Sequence, residues 1–269
     1  MPKGTLLKDS STIYKVEEVL GAGGYGITYK VTRLSDGKIF ALKEFFPNKL
    51  CERGENDTMS FLKTNSDVIE LGLKVFITEG KRLNRQEVHH PNIVRIEDVF
   101  KANDTAYIVM EYIDGDNLRQ YIKRNHNQPL TQEQALSVIR PVMQAVALLH
   151  NNRLTHLDIK PDNIILSYNR DGSYRPVLID FGQSKHYDKK GNATSEIRNL
   201  GCSEGYSPPE QYLGLTQFTP EADIYAISAT LLYLLTGTQP IKSSEISATY
   251  ISEKLPPEIS PEIKNAIIN

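Results

Sequence analysis

Apolar positions recur through Tyr14, Val16 and Val19 and again through Ile27, Tyr29 and Val31, with Asp36-Gly37 as a hairpin turn before Ile39–Leu42. This pattern predicts antiparallel hairpins. From Asn65 to Glu87 the apolar residues Val68, Leu71, Val75, Phe76 and Leu83 follow helical spacing, and Pro91 closes the segment. Two further strands are predicted over Ile93–Phe100 and Ala106–Glu111, and Asp114-Gly115 then breaks the pattern. Beyond it Leu118–Lys123, Thr131–His150 and Glu221–Leu235 carry helical periodicity, with Thr131 and Glu133 or Gln134 placed to cap the second. The expected fold class is α+β, a small β-rich lobe with one long helix followed by a larger α-helical lobe. The polar stretch 47–66 reads as an inserted loop.

A chain of 269 residues suits two small lobes, and 39 % hydrophobic with 24 % charged residues is the balance of a soluble globular protein. Lys and Arg total 31 against 33 Asp and Glu, a net charge of -2 without a basic run, which argues against binding nucleic acid through its phosphates. Cys51 and Cys202 are too few for a disulfide framework or a four-cysteine zinc site, so a reducing, cytoplasmic setting is expected. No apolar run is long enough to predict a signal peptide or a membrane span within these residues.

Leu20-Gly21-Ala22-Gly23-Gly24-Tyr25-Gly26 contains G-x-G-x-x-G, where backbone N–H groups can approach a polyphosphate because no Cβ intervenes. A dinucleotide fold would require a helix next. Here Ile27–Val31 reads as a strand, so the glycines sit in a hairpin that could cover phosphates, or in a turn that binds nothing. Lys43 lies on the next strand, where it would point at those phosphates if the chain folds back beneath the turn. Glu79 shares a helical face with Val75 and Leu83 and is the candidate carboxylate to hold the lysine, although an isolated glutamate there would read as a surface residue. His156-Leu157-Asp158-Ile159-Lys160-Pro161-Asp162-Asn163 and, seventeen residues after Asn163, Asp180-Phe181-Gly182 place oxygen donors in two loops bracketed by apolar strands. Carboxylate and amide oxygens suit Mg²⁺ with substrate phosphates.

In this order and spacing the chain resembles the protein kinases from about Tyr14 to its end. Lys160 resembles the serine/threonine class, and Gly26–Tyr29, Lys43–Pro47 and Gly205–Gln211 resemble its bacterial eukaryotic-like (Hanks-type) members. The resemblance implies a bilobal catalytic domain over 14–269, with an N-lobe at 14–111, a hinge at 112–116 and a C-lobe from 117 whose last helices are cut short. It implies ATP and Mg²⁺ as cofactors. Lys43 would hold phosphates and pair with Glu79, Asp158 would accept the substrate hydroxyl proton, Lys160 would steady the γ-phosphate, and Asn163 and Asp180 would bind Mg²⁺. Nucleotide contacts would come from Leu20, Gly21, Ala22, Gly23, Gly24, Gly26, Thr28, Ala41, Met110, Glu111, Ile113, Asn117 and Ile165. Leu83, Ile96, His156 and Phe181 would form an apolar column anchored at Asp223.

A protein substrate would dock near Ser203–Glu210, and the 47–66 segment could receive a regulator. Three positions depart from the family pattern. Leu157 replaces the arginine before the catalytic aspartate, Thr28 a valine and Asn117 a ribose-binding acid. The arginine that pairs with a buried Glu210 in the family would fall past Asn269, so a substitute partner or a loosened segment is expected. Thr194 and Ser195 are the expected phosphate acceptors. With Leu157 in the arginine's place and Val75 at another site of the basic cluster, Lys185 is the cation left to dock their phosphates. An ATP-binding pseudokinase and a small-molecule phosphotransferase are the alternatives. Lys160 and the Gly201–Gln211 shelf argue against the second.

Overall fold

A computed structural model describes the chain except residues 10, 25, 55–56, 62–65, 170, 193, 195–200, 215–218 and 269. It divides into two compact units, Met1–His89 with Val94–Ile113, and His90–Ile93 with Asp114–Asn269.

The first unit contains β1 (Leu6–Lys8), β2 (Ile13–Ala22), β3 (Gly26–Arg33), β4 (Ile39–Phe45), β5 (Cys51–Arg53), β6 (Met59–Phe61), α1 (Ser66–Leu83), β7 (Ile96–Ala102) and β8 (Thr105–Glu111). An antiparallel sheet runs in the order β1-β2-β3-β4-β8-β7. Strand period two sorts its side chains. Tyr29 and Val31, Phe40 and Leu42, and Tyr107 and Val109 enter one core with Tyr14, Val16 and Phe100, where Phe100 stacks on both Tyr14 (5.9 Å) and Tyr107 (5.1 Å). The opposite parity places Thr28, Lys43 and Ile108 side by side on the other face. Helix α1 packs on that face at Gly80, where a Cβ would come within 2.8 Å of the Ile108 side chain and 3.1 Å of Val99. Only glycine allows this approach.

The helix stops at Leu83, four residues short of the predicted end, and Gln86–Val88 form a 3₁₀ turn instead. Ile93 does not begin β7. Its N–H donates to the His90 carbonyl at 3.0 Å, and it bridges to Leu178 within the second unit. The stretch 47–66 is also not simply a polar loop, because β5 and β6 pair as a hairpin within it. Cys51 and Met59 are buried with Phe45 and Ile69.

The second unit contains β9 (Gly115–Asn117), α2 (Leu118–Arg124), α3 (Gln132–Asn151), β10 (Leu154–Thr155), β11 (Ile164–Tyr168), β12 (Tyr174–Leu178), β13 (Lys185–His186), α4 (Pro209–Tyr212), α5 (Glu221–Thr236), α6 (Ala248–Lys254) and α7 (Pro261–Ile268). Thr131 caps α3 with Gln134 as its capping-box partner, which decides between the two candidates. Helix α3 packs on α5, whose residues from Ala229 to Leu235 are all buried and whose end is set by Gly237 in the left-handed region. Two small ladders, β10-β13 and β12-β11-β9, hold the loops at 156–163 and 179–184. No described helix is long and apolar enough to cross a membrane.

Candidate active site

The sequence-predicted residues fall into two groups, one in each unit. In the first unit the glycine turn joins β2 to β3, and the Gly23 N–H donates to the Gly26 carbonyl at 2.8 Å. A Cβ at Gly26 would lie 2.6 Å from the Glu44 carbonyl oxygen and 3.5 Å from Lys43 Cε. Strand β4 therefore runs beneath the turn and brings the Lys43 side chain to it. A Cβ at Gly21 or Gly24 would meet nothing within 4 Å. The space beside these backbone groups is open, as a cradle for phosphates requires.

Thr28 is the cross-strand partner of Lys43, and Ala41 that of Met110. Ala41 and Met110 are both 8 % exposed, while Leu20 is open to solvent. The Glu111 N–H is used by the Arg95 carbonyl at 2.9 Å, and Ile113 is buried at the unit's end. Glu79 is buried, not a surface glutamate, and accepts a hydrogen bond from Arg82 Nη1 at 3.1 Å. It precedes Gly80, so Glu79 and Lys43 belong to the helix and the strand that meet on one face of the sheet.

In the second unit Asp158 is buried at the centre of a polar cluster. Lys160 Nζ donates to both its carboxylate oxygens at 2.9 Å, and Ser203 Oγ donates to Oδ1 at 2.6 Å. Asn163 Nδ2 donates to the Asp158 carbonyl at 2.8 Å and to Oδ2 at 3.0 Å. With the amide NH₂ so engaged, Asn163 Oδ1 is the atom left for a cation. Asp180 has φ +61°, and its Oδ1 accepts from the Gly182 N–H at 3.1 Å. A carboxylate and an amide oxygen form a hard donor set that fits Mg²⁺ carried on phosphates.

The loop is held from below by Asp223, which is fully buried. Its oxygens accept from the backbone N–H groups of His156 and Leu157, each at 2.8 Å, and lie 2.8 Å from His150 Nε2. These bonds keep Leu157 at φ +62°, a conformation costly for a residue with a branched side chain. Burial holds the His156 imidazole pKa below its ordinary value. The neutral ring can then donate from Nε2 to the Ile179 carbonyl (3.1 Å) and accept the Asp158 N–H at Nδ1 (3.3 Å). Its ring lies 4.6 Å from that of Phe181.

Several residues carry more than their sequence context suggests. In the sequence Ser203 marks only the start of the expected docking segment. Gln211, buried in α4, donates to the carbonyls of Leu157 (3.1 Å) and Gly201 (2.9 Å) and so ties the two loops. Asn117 spends its Oδ1 as the cap of α2, accepting from Gln120 N at 2.8 Å. Its strand neighbour is Ile165, on β11. Arg119 pairs with Asp162 at 2.8 Å and lies over the Tyr233 ring.

The turn Ser203–Ser207 is closed by bonds from the Tyr206 and Ser207 N–H groups to the Ser203 carbonyl, both 2.9 Å. Glu210 corrects an expectation. It is exposed, so water solvates its carboxylate and no desolvation penalty arises. Thr194 Oγ1 lies 3.0 Å from His186 Nδ1, whereas Ser195 is outside the described residues.

Residues 14–266 match the protein kinase domain family. The chain belongs to the protein kinase family. It is 30 % identical over 263 residues, 95 % of its length, to a probable serine/threonine-protein kinase PknB of Lactococcus lactis, and 30 % identical over 264 residues to the serine/threonine-protein kinase PknA of a Nostoc species. It spans 37 % and 43 % of those proteins, about two fifths of their length. Among solved structures, the apo form of PpkA-294 aligns over 99 % of this chain and 91 % of its own, with a TM-score of 0.75 at 23 % identity. The kinase domain of Mycobacterium tuberculosis PknI aligns over 92 % of this chain and 80 % of its own, with a TM-score of 0.64 at 22 % identity. Both share the fold.

One consequence can be measured at Ser203, whose hydroxyl bonds a charged group. A bond of that kind contributes about 1.5–3 kcal/mol. Ser203→Ala is expected to lower turnover about ten- to hundredfold while MgATP affinity stays unchanged, as read by steady-state kinetics beside calorimetric titration.

Proposed function

We propose that this kinase domain transfers the γ-phosphoryl group of ATP to serine or threonine hydroxyls of proteins. The observation that carries the reading is the Asp158 cluster, a buried carboxylate held by Lys160, Asn163 and Ser203 at 2.6–3.0 Å. A carboxylate so fixed can accept a hydroxyl proton as the oxygen attacks phosphorus. Lys160, on the same carboxylate, stands ready to neutralise charge on the transferred group.

When bound, Mg²⁺ supplies charge neutralisation between the phosphates. Asn163 and Asp180 would hold it, and Lys43, steadied by Glu79, would bind phosphates beside the glycine turn. Thr28, Ala41, Met110 and Ile165 would contact the base. The protein substrate would lie along Ser203–Glu210, and the 47–66 segment would receive a regulator. A cytoplasmic location goes with this reading, where ATP is at hand and the two free cysteines stay reduced. The test is incubation of the purified chain with labelled ATP and Mg²⁺, with the phosphate mapped by mass spectrometry. Label on serine or threonine supports the reading, and none on the chain or on a panel of protein substrates overturns it.

Control by loop phosphate should be weak. A phosphate on Thr194 or Ser195 would need basic partners, and Leu157 stands where an arginine would supply one. One charge-assisted contact gives about 1.5–3 kcal/mol, short of the roughly 5.5 kcal/mol needed to turn a mostly-off population mostly on. Gln211 already joins the catalytic loop to Gly201 without phosphate. Thr194→Ala with Ser195→Ala should therefore leave turnover within about thirtyfold of the parent, roughly 2 kcal/mol of barrier.

A further inference from the structure

Glu44 follows Lys43 on β4 and, by strand parity, faces the opposite side of the sheet. It is fully buried. Arg53, from β5, donates to both its carboxylate oxygens, Nη1 to Oε1 at 3.0 Å and Nη2 to Oε2 at 2.5 Å. The hydroxyls of Tyr29 (2.9 Å) and Tyr107 (3.2 Å) complete the set. Both tyrosine pKa values are raised, first by burial and then by the Glu44 charge, so both remain donors. The guanidinium also lies over the Phe46 ring, 4.7 Å from its centroid.

The same hairpin grips the other face of β4. Cys51 and Met59 are buried against Phe45, and this cluster continues into α1 through Ile69, Leu73 and Phe76. The Phe45 and Phe76 rings are 5.6 Å apart. On the way into the hairpin, the Asn48 N–H donates to the Gly24 carbonyl in the glycine turn at 3.3 Å. On the way out, the Met59 N–H donates to Asn103 in the β7–β8 turn at 2.9 Å. The hairpin thus touches the strand of Lys43 and the helix of Glu79, and the residues leading into it touch the glycine turn.

We propose that the 51–61 hairpin is a positioning element for catalysis, and that Arg53, through Glu44, is its principal positioning residue. It fixes α1 and β4 with respect to each other, so that Glu79 and Lys43 keep their places without help from loop phosphate. The inference rests on the roles proposed above for Lys43 and Glu79.

Arg53→Ala alone would strand a buried carboxylate and could simply unfold the unit. The informative variant is Glu44→Gln with Arg53→Met, which removes both charges, keeps the volume and leaves the tyrosine hydroxyls a partner. Two readouts are taken on the folded protein, with circular dichroism as the control. The first is alkylation of Cys51, followed by peptide mass mapping with exposed Cys202 as the reference. Cys51 is 3 % exposed and burial pushes its thiol up to about 11, so it should react slowly in the parent. The second is turnover and KM as ATP is varied, together with MgATP affinity by calorimetry.

The double variant is expected to stay folded, to alkylate Cys51 at least about tenfold faster, and to lose at least about tenfold in kcat/KM for ATP. Arg53→Lys, which keeps the charge but not the fork, should fall between parent and double variant. A folded double variant with kcat/KM within about twofold of the parent, or with Cys51 still protected, overturns the proposal. If the double variant fails to fold, Arg53→Lys alone decides by the same two readouts. A parent that binds MgATP but transfers no phosphate would instead end the catalytic reading, and the hairpin then stands or falls on whether the variant loses MgATP affinity.

Discussion

Asp158→Asn is expected to slow phosphoryl transfer by about 10²–10⁴-fold, the usual weight of a positioned general base. Asparagine has nearly the same shape and can still accept from Lys160 and Asn163, so the loop should hold. What disappears is the negative charge that Lys160 and Ser203 address, and with it the oxygen proposed to take the hydroxyl proton. In the proposed role Asp158 faces the acceptor hydroxyl and not the nucleotide, so MgATP affinity should stay within about threefold. Single-turnover rates and calorimetric titration separate the two effects. Equal losses in binding and rate would show that Asp158 acts on the nucleotide instead.

Asp223→Ala should damage both stability and rate. Its carboxylate accepts from the N–H groups of His156 and Leu157 and lies within hydrogen-bond reach of His150 Nε2, all at 2.8 Å and away from water. Each donor left unpaired in the interior costs about 1–3 kcal/mol. Leu157 would also lose the bond that keeps it in the left-handed region. The expected loss is about 3–5 kcal/mol, a fall in Tm on the order of 10 °C for a domain of this size. Turnover should fall as well, since Asp158 directly follows the released segment. Asp223→Asn, which retains one acceptor oxygen, should fall between parent and alanine variant. Thermal unfolding of the three proteins by calorimetry is the check, and a Tm change under about 2 °C for the alanine variant would mean that the loop is held by its packing alone.

The parts of the fold that depend on near neighbours were legible in the chain. Alternation gave β2, β3 and β4, helical spacing gave α2, α3 and α5, and Thr131 marked the start of α3, with Glu133 or Gln134 as its capping partner until the structure chose Gln134. The order of the glycine turn, Lys43, Asp158, Asn163 and Asp180 pointed to the family before any contact was known. These signals are local, and the physics behind them acts within a turn of helix or a pair of strands.

Tertiary structure decided the rest, because burial and pairing depend on residues far apart in the chain. The composition of 47–66 is polar, yet Cys51 and Met59 are covered by Phe45 and Ile69, where 51–53 and 59–61 pair as a hairpin. Arg53, Glu44, Tyr29 and Tyr107 come from four different strands and converge on one buried site. Ser203 and Asp158 are 45 residues apart, and the serine hydroxyl donates to the carboxylate at 2.6 Å. The family resemblance implies a buried Glu210, and the carboxylate stands in water. Residue types and periodicity determined which elements form and which chemistry is at hand. Only the packing determined which polar groups lose their water, and a polar group that loses its water must find a partner.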